Sequence, residues 1–394
     1  MPERAQKLSE LPVYLLASIP QKKRELQARG VDVIDLGAGD ADLSPPLKAI
    51  EALKRAVHEP AMQRYGWALG LPAYREAVSS WMLKRFGLSF DPFTEVVPLI
   101  GSKEGLSHLA FAYLDPGDIT IIPEPGYPAY VGGTLLSNGT AYKYALRPRT
   151  KFLIEIDEVP AEVLRRAKMI YLNYPNNPTA AIAPREYLKR MVDRCRELDI
   201  LLVYDNAYSE LAFDGYRPPS IFEIEGAADV AIEFHSLSKT YNMTGWRCGW
   251  AVARPEIAAA LAQVKTFVDT GPFMPIQAAG VAALESYDEF VPGNIAIFRE
   301  RRDAAIDAFR SAGFVCEVPK ATMYCWLALP EGLPSAAFAE RLLMEEGVVL
   351  LPGSAFGAGG EGFVRVSFVT SPERIREAAG RAARVLAAFG AGIR

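Results

Sequence analysis

Residues 169–205 read MIYLNYPNNPTAAIAPREYLKRMVDRCRELDILLVYD. MIYLNYP (169–175) has the aromatic and β-branched composition of a strand, and the Asn/Pro-rich NNPT that follows ends it. PREYLKRMVDRCRELD (184–199) reads as a helix, with Pro184 in the first turn, where a missing N–H leaves nothing unsatisfied. ILLVYD (200–205) is apolar without alternation, the pattern of a strand covered on both faces. Strand, helix and strand in this order predict a crossover between neighbouring parallel strands.

The same texture extends both ways. EVVPLI (95–100), DITIIP (118–123), DVAIEF (229–234) and CGWAVA (248–253) are further strands, and GSKEGLSHLAFAYL opens a helix directly after the first of them. This alternation predicts an α/β fold: a mostly parallel, doubly wound sheet with helices on both faces. Towards the N-terminus, VDVIDLG (31–37) is strand-like and GAGDADLSPP is loop. In LKAIEALKRAVHEP, Leu47, Ile50, Leu53 and Val57 share one helical face. From about 290, a charged helix, MYCWLALP, SAAFAERLLMEEG and FVRVSFV describe a smaller α+β domain. The expected division is an arm plus part of the small domain at 1–45, a large domain at 46–288 and a small domain at 289–394.

The 394 residues exceed one ordinary core, and half of them are hydrophobic. A net charge of −4 without a basic block gives no support to nucleic-acid binding. Cys195, Cys248, Cys316 and Cys325 form no C-x-x-C pair and are expected to be reduced thiols. No signal peptide or membrane-spanning run is visible, so a cytoplasmic protein is expected. No His or Cys cluster suggests a metal. GAGDADL contains G-x-G after a strand, but Asp40 and Asp42 follow in place of a third glycine and a helix. Those carboxylates would repel a pyrophosphate, which argues against a nicotinamide enzyme.

Ligands of open α/β sheets bind beyond the carboxyl ends of the strands. The polar residues that follow each strand are therefore candidates: Ser102 and Lys103, Tyr127, Asn176 and Asn177, Asp205 and Tyr208, and Ser236, Ser238 and Lys239, with Arg247 eight residues later. Ser102 and the amides of a helix N-terminus suit an anion, and Ser236, Ser238 and Arg247 add donors. Asp205, at the buried end of an apolar strand, needs a cationic partner. Asn177 and Tyr208 can donate to a phenolate, Tyr127 can stack on a flat ring, and Lys239 can form an imine. Phosphate, protonated ring nitrogen, phenolate, aromatic face and aldehyde together describe pyridoxal phosphate (PLP). His235, beside the lysine, reads as a buried supporting residue.

YPNNPT, VYDNAY, SLSKTYNMTGWRCGW and VRVSF, in this order, resemble the signatures of the fold-type I, class I/II aminotransferases, over nearly all of residues 35–380. The resemblance implies the aspartate aminotransferase-like fold and a role for each residue. Lys239 becomes the Schiff-base lysine, Asp205 the partner of the pyridine nitrogen, and Tyr208 and Asn177 ligands of the ring hydroxyl. Tyr127 stacks on the ring. Ser102, Ser236, Ser238 and Arg247 bind the phosphate, with Lys103 nearby. Arg365 grips the substrate α-carboxylate, and Gly39 contributes a backbone contact to it. Tyr65 resembles a tyrosine that reaches the phosphate of a neighbouring subunit, which implies a homodimer with shared sites. Within the class, LIGSKEGLSHLAF, EPGYPAY and VKTFVDTGPFMPIQAAGVAAL are most similar to the LL-diaminopimelate aminotransferase group. The chain departs from it at Thr179-Ala180, where Thr-Gly is usual, and at Phe267, where a polar residue is usual.

The implied reaction is ping-pong transfer of an amino group from an amino acid to a 2-oxo acid, 2-oxoglutarate being the expected acceptor. LL-diaminopimelate is the expected donor, with Tyr14 and segment 65–70 as guesses for its distal pocket. Aspartate or alanine transamination and C–S bond cleavage by a PLP lyase are alternatives that share Lys239 and Arg365. A PLP-binding transcriptional regulator is disfavoured, because the thirty or so residues before the fold are too few for a helix-turn-helix module.

Overall fold

The computed structural model describes residues 1–11, 19–67 and 69–392. The strands, in chain order, are β1 (Ile34–Asp35), β2 (Val96–Leu99), β3 (Ile119–Glu124), β4 (Thr140–Ala145), β5 (Ala167–Leu172), β6 (Leu201–Asp205), β7 (Ala231–Ser236), β8 (Gly249–Ala253), β9 (Tyr324–Ala328), β10 (Val348–Val349), β11 (Leu351–Pro352) and β12 (Phe363–Ser367). Seven of them form one sheet in the order β2-β8-β7-β6-β5-β3-β4. The run from β7 to β4 is parallel, and only β8 is antiparallel to its neighbours β2 and β7.

Both faces of this sheet are covered. Along β6, Leu202 and Tyr204 join Leu188, Val192 and Cys195 of the helix Arg185–Leu198 on one face. Val203, between them, joins Leu106 and Leu109 of the helix Ser102–Tyr113 on the other. Strand residues alternate sides, so an unbroken apolar run is what a two-sided cover requires. Full burial of each such side chain is worth about 1.5–3 kcal/mol. Arg185–Leu198 buries Tyr187, Leu188, Met191, Val192 and Cys195 as one stripe and ends at Asp199, in the left-handed conformation with φ 54°. Pro184 is its N-cap, one position outside the expected first turn.

The sequence reading and the structure differ at several elements, among them the short strands β10 and β11, which it did not foresee. Asp229 and Val230 belong to a short helix, and β7 runs on through His235 and Ser236. β4 went unrecognised because it is the sheet edge, where TAYKYA is mostly half-buried or exposed. The charged helix expected from about 290 begins at Tyr287 and passes through Pro292 to Ser311, so position 288 lies inside it.

The C-terminal part contains the antiparallel sheet β11-β12-β9 and a parallel pair, β1 with β10. Its core gathers Ile34 and Leu36 with Phe298, Phe309, Phe338, Val364 and Val366. Tyr208, Leu211 and Phe213, from the segment after β6, enter the same core. The chain leaving the large sheet at Asp205 is thereby packed against the smaller one. All four cysteines are buried and unpaired. No described helix is long and apolar enough to cross a membrane.

Candidate active site

Lys239 lies in the short helix Leu237–Thr240 that leaves β7. Its Nζ donates to the carbonyl of Gly39. Burial, and then the nearby charges of Arg365 and Arg247, lower its pKa, while Tyr324 and Asp40 oppose them. An amine held this way sheds its proton more readily and becomes nucleophilic.

Asp205 ends β6 and is 4% exposed. Its Oδ2 accepts the Tyr130 hydroxyl at 2.7 Å, whereas Oδ1 is buried without a partner. Burial raises its pKa to about 6 against hydrogen bonds from Tyr130 and the Ala207 backbone. A buried carboxylate with an open oxygen is costly until a cation or donor meets it.

An anion cradle stands where β2, β7 and β8 approach. Gly101, with φ 69°, precedes the helix Ser102–Tyr113. A Cβ on Gly101 would lie 2.4 Å from the Arg247 guanidinium, and one on Gly249 would lie 3.1 Å from the Ser102 amide nitrogen. The guanidinium therefore lies against the helix N-terminus. Its Nη1 donates to the Thr244 carbonyl at 3.0 Å and reaches the Ser238 hydroxyl at 3.5 Å. Ser236 caps its own helix, accepting from the Ser238 amide at 3.1 Å. Cation, helix dipole and hydroxyls together suit an anion such as a phosphate.

Arg365 sits on β12, opposite Trp326 and Leu351 in register, and is 4% exposed. It donates to Asn177 Oδ1 at 2.7 Å and to the Gly37 carbonyl at 2.6 Å, leaving Nε buried and unpartnered. Its guanidinium lies over the Tyr324 ring at 4.1 Å and the Phe356 ring at 4.9 Å. Such a flat, aromatic-backed fork suits a carboxylate. The Tyr208 and Tyr324 hydroxyls are 3.2 Å apart. Burial alone would raise the Tyr324 pKa, but Arg365 and Lys239 lower it overall; burial and Tyr324 raise that of Tyr208.

The family model for aminotransferase class I and II matches residues 31–381. The chain belongs to the class I and II aminotransferase family. An LL-diaminopimelate aminotransferase of Nitratidesulfovibrio vulgaris strain Hildenborough is 47% identical over 382 residues, covering 97% of this chain and 98% of that protein. Among solved structures, substrate-bound BacF from Bacillus subtilis superposes with a TM-score of 0.93 at 34% identity, covering 98% of each chain. A single mutant of Thermus thermophilus aspartate aminotransferase gives 0.90 at 31%, covering 98% of this chain and all of that one.

The residues of this aminotransferase fit PLP chemically. The open Asp205 oxygen suits a pyridinium N–H, the Gly101–Arg247 cradle a phosphate, and the Lys239 amine an aldehyde. The other sequence candidates are more scattered. Tyr127 packs edge-on against Tyr130, with ring centroids 5.7 Å apart. The Lys103 side chain is exposed. Tyr65 is 71% exposed beside Trp67. Tyr14 lies outside the described residues. Gly39 meets Lys239 through its carbonyl, and a Cβ there would lie 2.1 Å from the Tyr324 hydroxyl. His235 is 2% exposed, stacks on Trp250 at 5.0 Å, and places Nε2 2.8 Å from Glu233 Oε1.

Sequence reading missed Tyr130, Gly37 and Tyr324. Tyr130 falls three residues after Tyr127 in EPGYPAY, so helical spacing after that turn was an available signal. Tyr324 had none, because in MYCWLALP it reads as one more strand aromatic.

Proposed function

We propose that this aminotransferase uses PLP to move an amino group from LL-diaminopimelate to 2-oxoglutarate. The open, buried Asp205 Oδ1 is the observation that carries the cofactor reading, since such an oxygen suits a cationic N–H. Support for the donor comes from relatives described as LL-diaminopimelate aminotransferases, 45–47% identical over 95–98% of the chain.

When bound, PLP supplies an aldehyde for the amino group and a ring that draws in the electrons left by the departing α-proton. Arg365 Nη1 and Nη2 receive the substrate α-carboxylate, exchanging Asn177 Oδ1 and the Gly37 carbonyl for its two oxygens. Lys239 Nζ is the amine that would hold the cofactor; freed by substrate, it would take the proton from the substrate α-carbon and hand it on. Its lowered pKa keeps the amine able to accept that proton. Asp205 would hold the ring nitrogen protonated. Tyr208 and Asn177 would donate to the ring oxygen, and Tyr127 would offer an aromatic face to the ring. Ser102, Ser236, Ser238 and Arg247 would hold the phosphate, with Lys103 beside them.

The proposal includes a homodimer with shared sites, Tyr65 reaching the partner's cradle. Tyr65, Trp67 and Leu69 are exposed on one loop; Phe267, near the end of the helix Pro255–Val268, and Phe273, just before the next helix, are exposed too. A Cβ on Gly66 would lie 3.8 Å from Met274, so the loop of Tyr65 runs beside the start of the helix that follows Phe273. Exposed apolar surface of this kind marks a contact region.

A panel of amino donors offered with 2-oxoglutarate tests the substrate. Glutamate should form fastest, per unit donor, with LL-diaminopimelate. Preference for aspartate or alanine, or release of pyruvate or ammonia without glutamate, would overturn that choice.

A further inference from the structure

Lys265 is fully buried, at 0% exposure, in the helix Pro255–Val268. Its ammonium donates to Glu104 Oε1 and lies 3.1 Å from both oxygens of Asp269. His108 Nδ1 is 2.9 Å from Glu104 Oε2 and 3.6 Å from Asp269 Oδ2. Two carboxylates and an imidazole resemble a cation site, but the Lys265 ammonium already touches both carboxylates.

Each carboxylate fixes a turn. Glu104 Oε1 reaches back over the first turn of its helix to accept the Ile100 amide at 2.9 Å. Ile100 is followed by Gly101, held at φ 69° against Arg247, and by Ser102. Asp269 Oδ1 accepts the Gly271 amide at 2.7 Å, ordering the turn between Phe267 and Phe273. One buried cation thus holds the hinge of the anion cradle from behind. Without it, Glu104 would be a buried carboxylate short of its ammonium and would seek water, releasing the Ile100 amide.

We propose that Lys265, acting through Glu104, is a positioning residue for the phosphate-binding turn 100–102. This rests on the PLP reading above. The effect is local to the phosphate end, because Asp205, Lys239 and Arg365 make no recorded contact with the cluster among the described residues.

The test compares PLP with pyridoxal, which lacks only the phosphate. Cofactor-free, full-length wild type, Lys265→Met and Glu104→Leu are titrated with each compound, following absorbance and calorimetry. Both variants should bind PLP at least tenfold more weakly while holding pyridoxal within twofold of wild type. Inorganic phosphate should protect wild type, and neither variant, against thermal unfolding. PLP affinity unchanged in both variants, or pyridoxal falling in step with PLP, overturns the proposal. Should Lys265→Met not fold, Glu104→Leu, which removes the oxygen that accepts the Ile100 amide, decides alone. A wild type that binds neither compound overturns the cofactor reading itself, and the inference with it.

Discussion

Asp205 keeps one oxygen on Tyr130 and the other open, and burial raises its pKa from 3.8 to about 6. The folded, cofactor-free protein therefore holds this proton more tightly than the unfolded chain does. Its favourable contribution is complete below about pH 3.8 and is lost as pH climbs through about 6. Above that the ionised group costs on the order of 3 kcal/mol. Cofactor-free Asp205→Asn should accordingly melt above wild type at pH 7.5, with the gap closing toward pH 4. Loaded with PLP the order should reverse, and transamination should fall by at least a hundredfold. Lys239→Ala should lose both turnover and the visible absorbance that an amino donor shifts; retained turnover would refute the lysine's role. Arg365→Ala should raise KM for every amino and oxo acid alike, and an effect on one substrate alone would make it a side-chain reader instead. At this scale much was legible. Lys239, Asp205 and Arg365 are charges in apolar strands or beside hydroxyls, which bland packing does not call for. Tyr324 was not, because its meaning lies in a hydroxyl placed by two other chain segments, at Tyr208 and Gly39.

The turn between β2 and its helix shows what an element contributes. Gly101 needs its positive φ, and a side chain there would meet the Arg247 guanidinium. Gly101→Ala should destabilise the protein by about 1–3 kcal/mol and weaken PLP far more than pyridoxal. Thermal melts and cofactor titration check both halves; an unchanged PLP affinity would detach Arg247 from the phosphate. The buried strands were legible because cover on two faces leaves a continuous apolar run, as in LLVYD. Edge strand β4 was hidden because half-exposed strands tolerate TAYKYA. The start of the helix Tyr287–Ser311 was obscured by Pro292, its sixth residue, because a proline beyond the first four unpaired N–H groups removes a helix hydrogen bond and reads as a break.

Across the whole molecule, the N-terminal strand β1 pairs with β10, more than three hundred residues later in the chain. Periodicity announced β1 but not the two-residue β10 or their pairing, which depends on long-range packing of Ile34 and Leu36 against the C-terminal helices. The exposed aromatics carry the prediction that belongs here. Trp67→Asp combined with Phe267→Asp should shift the sedimenting species from dimer to monomer and depress activity at low protein concentration. An unchanged dimer would place the interface elsewhere.

Gly37 and Gly39 are two residues apart, and their carbonyls hold the Arg365 guanidinium and the Lys239 amine respectively. A chain of that length spans at most roughly 7 Å. The short loop is therefore a gauge. It sets how far the cation that receives a carboxylate can stand from the nitrogen that exchanges for an amine. Amine and carboxylate on one carbon fit such a gauge. The rest of an amino acid, whatever its length, is left outside the measurement.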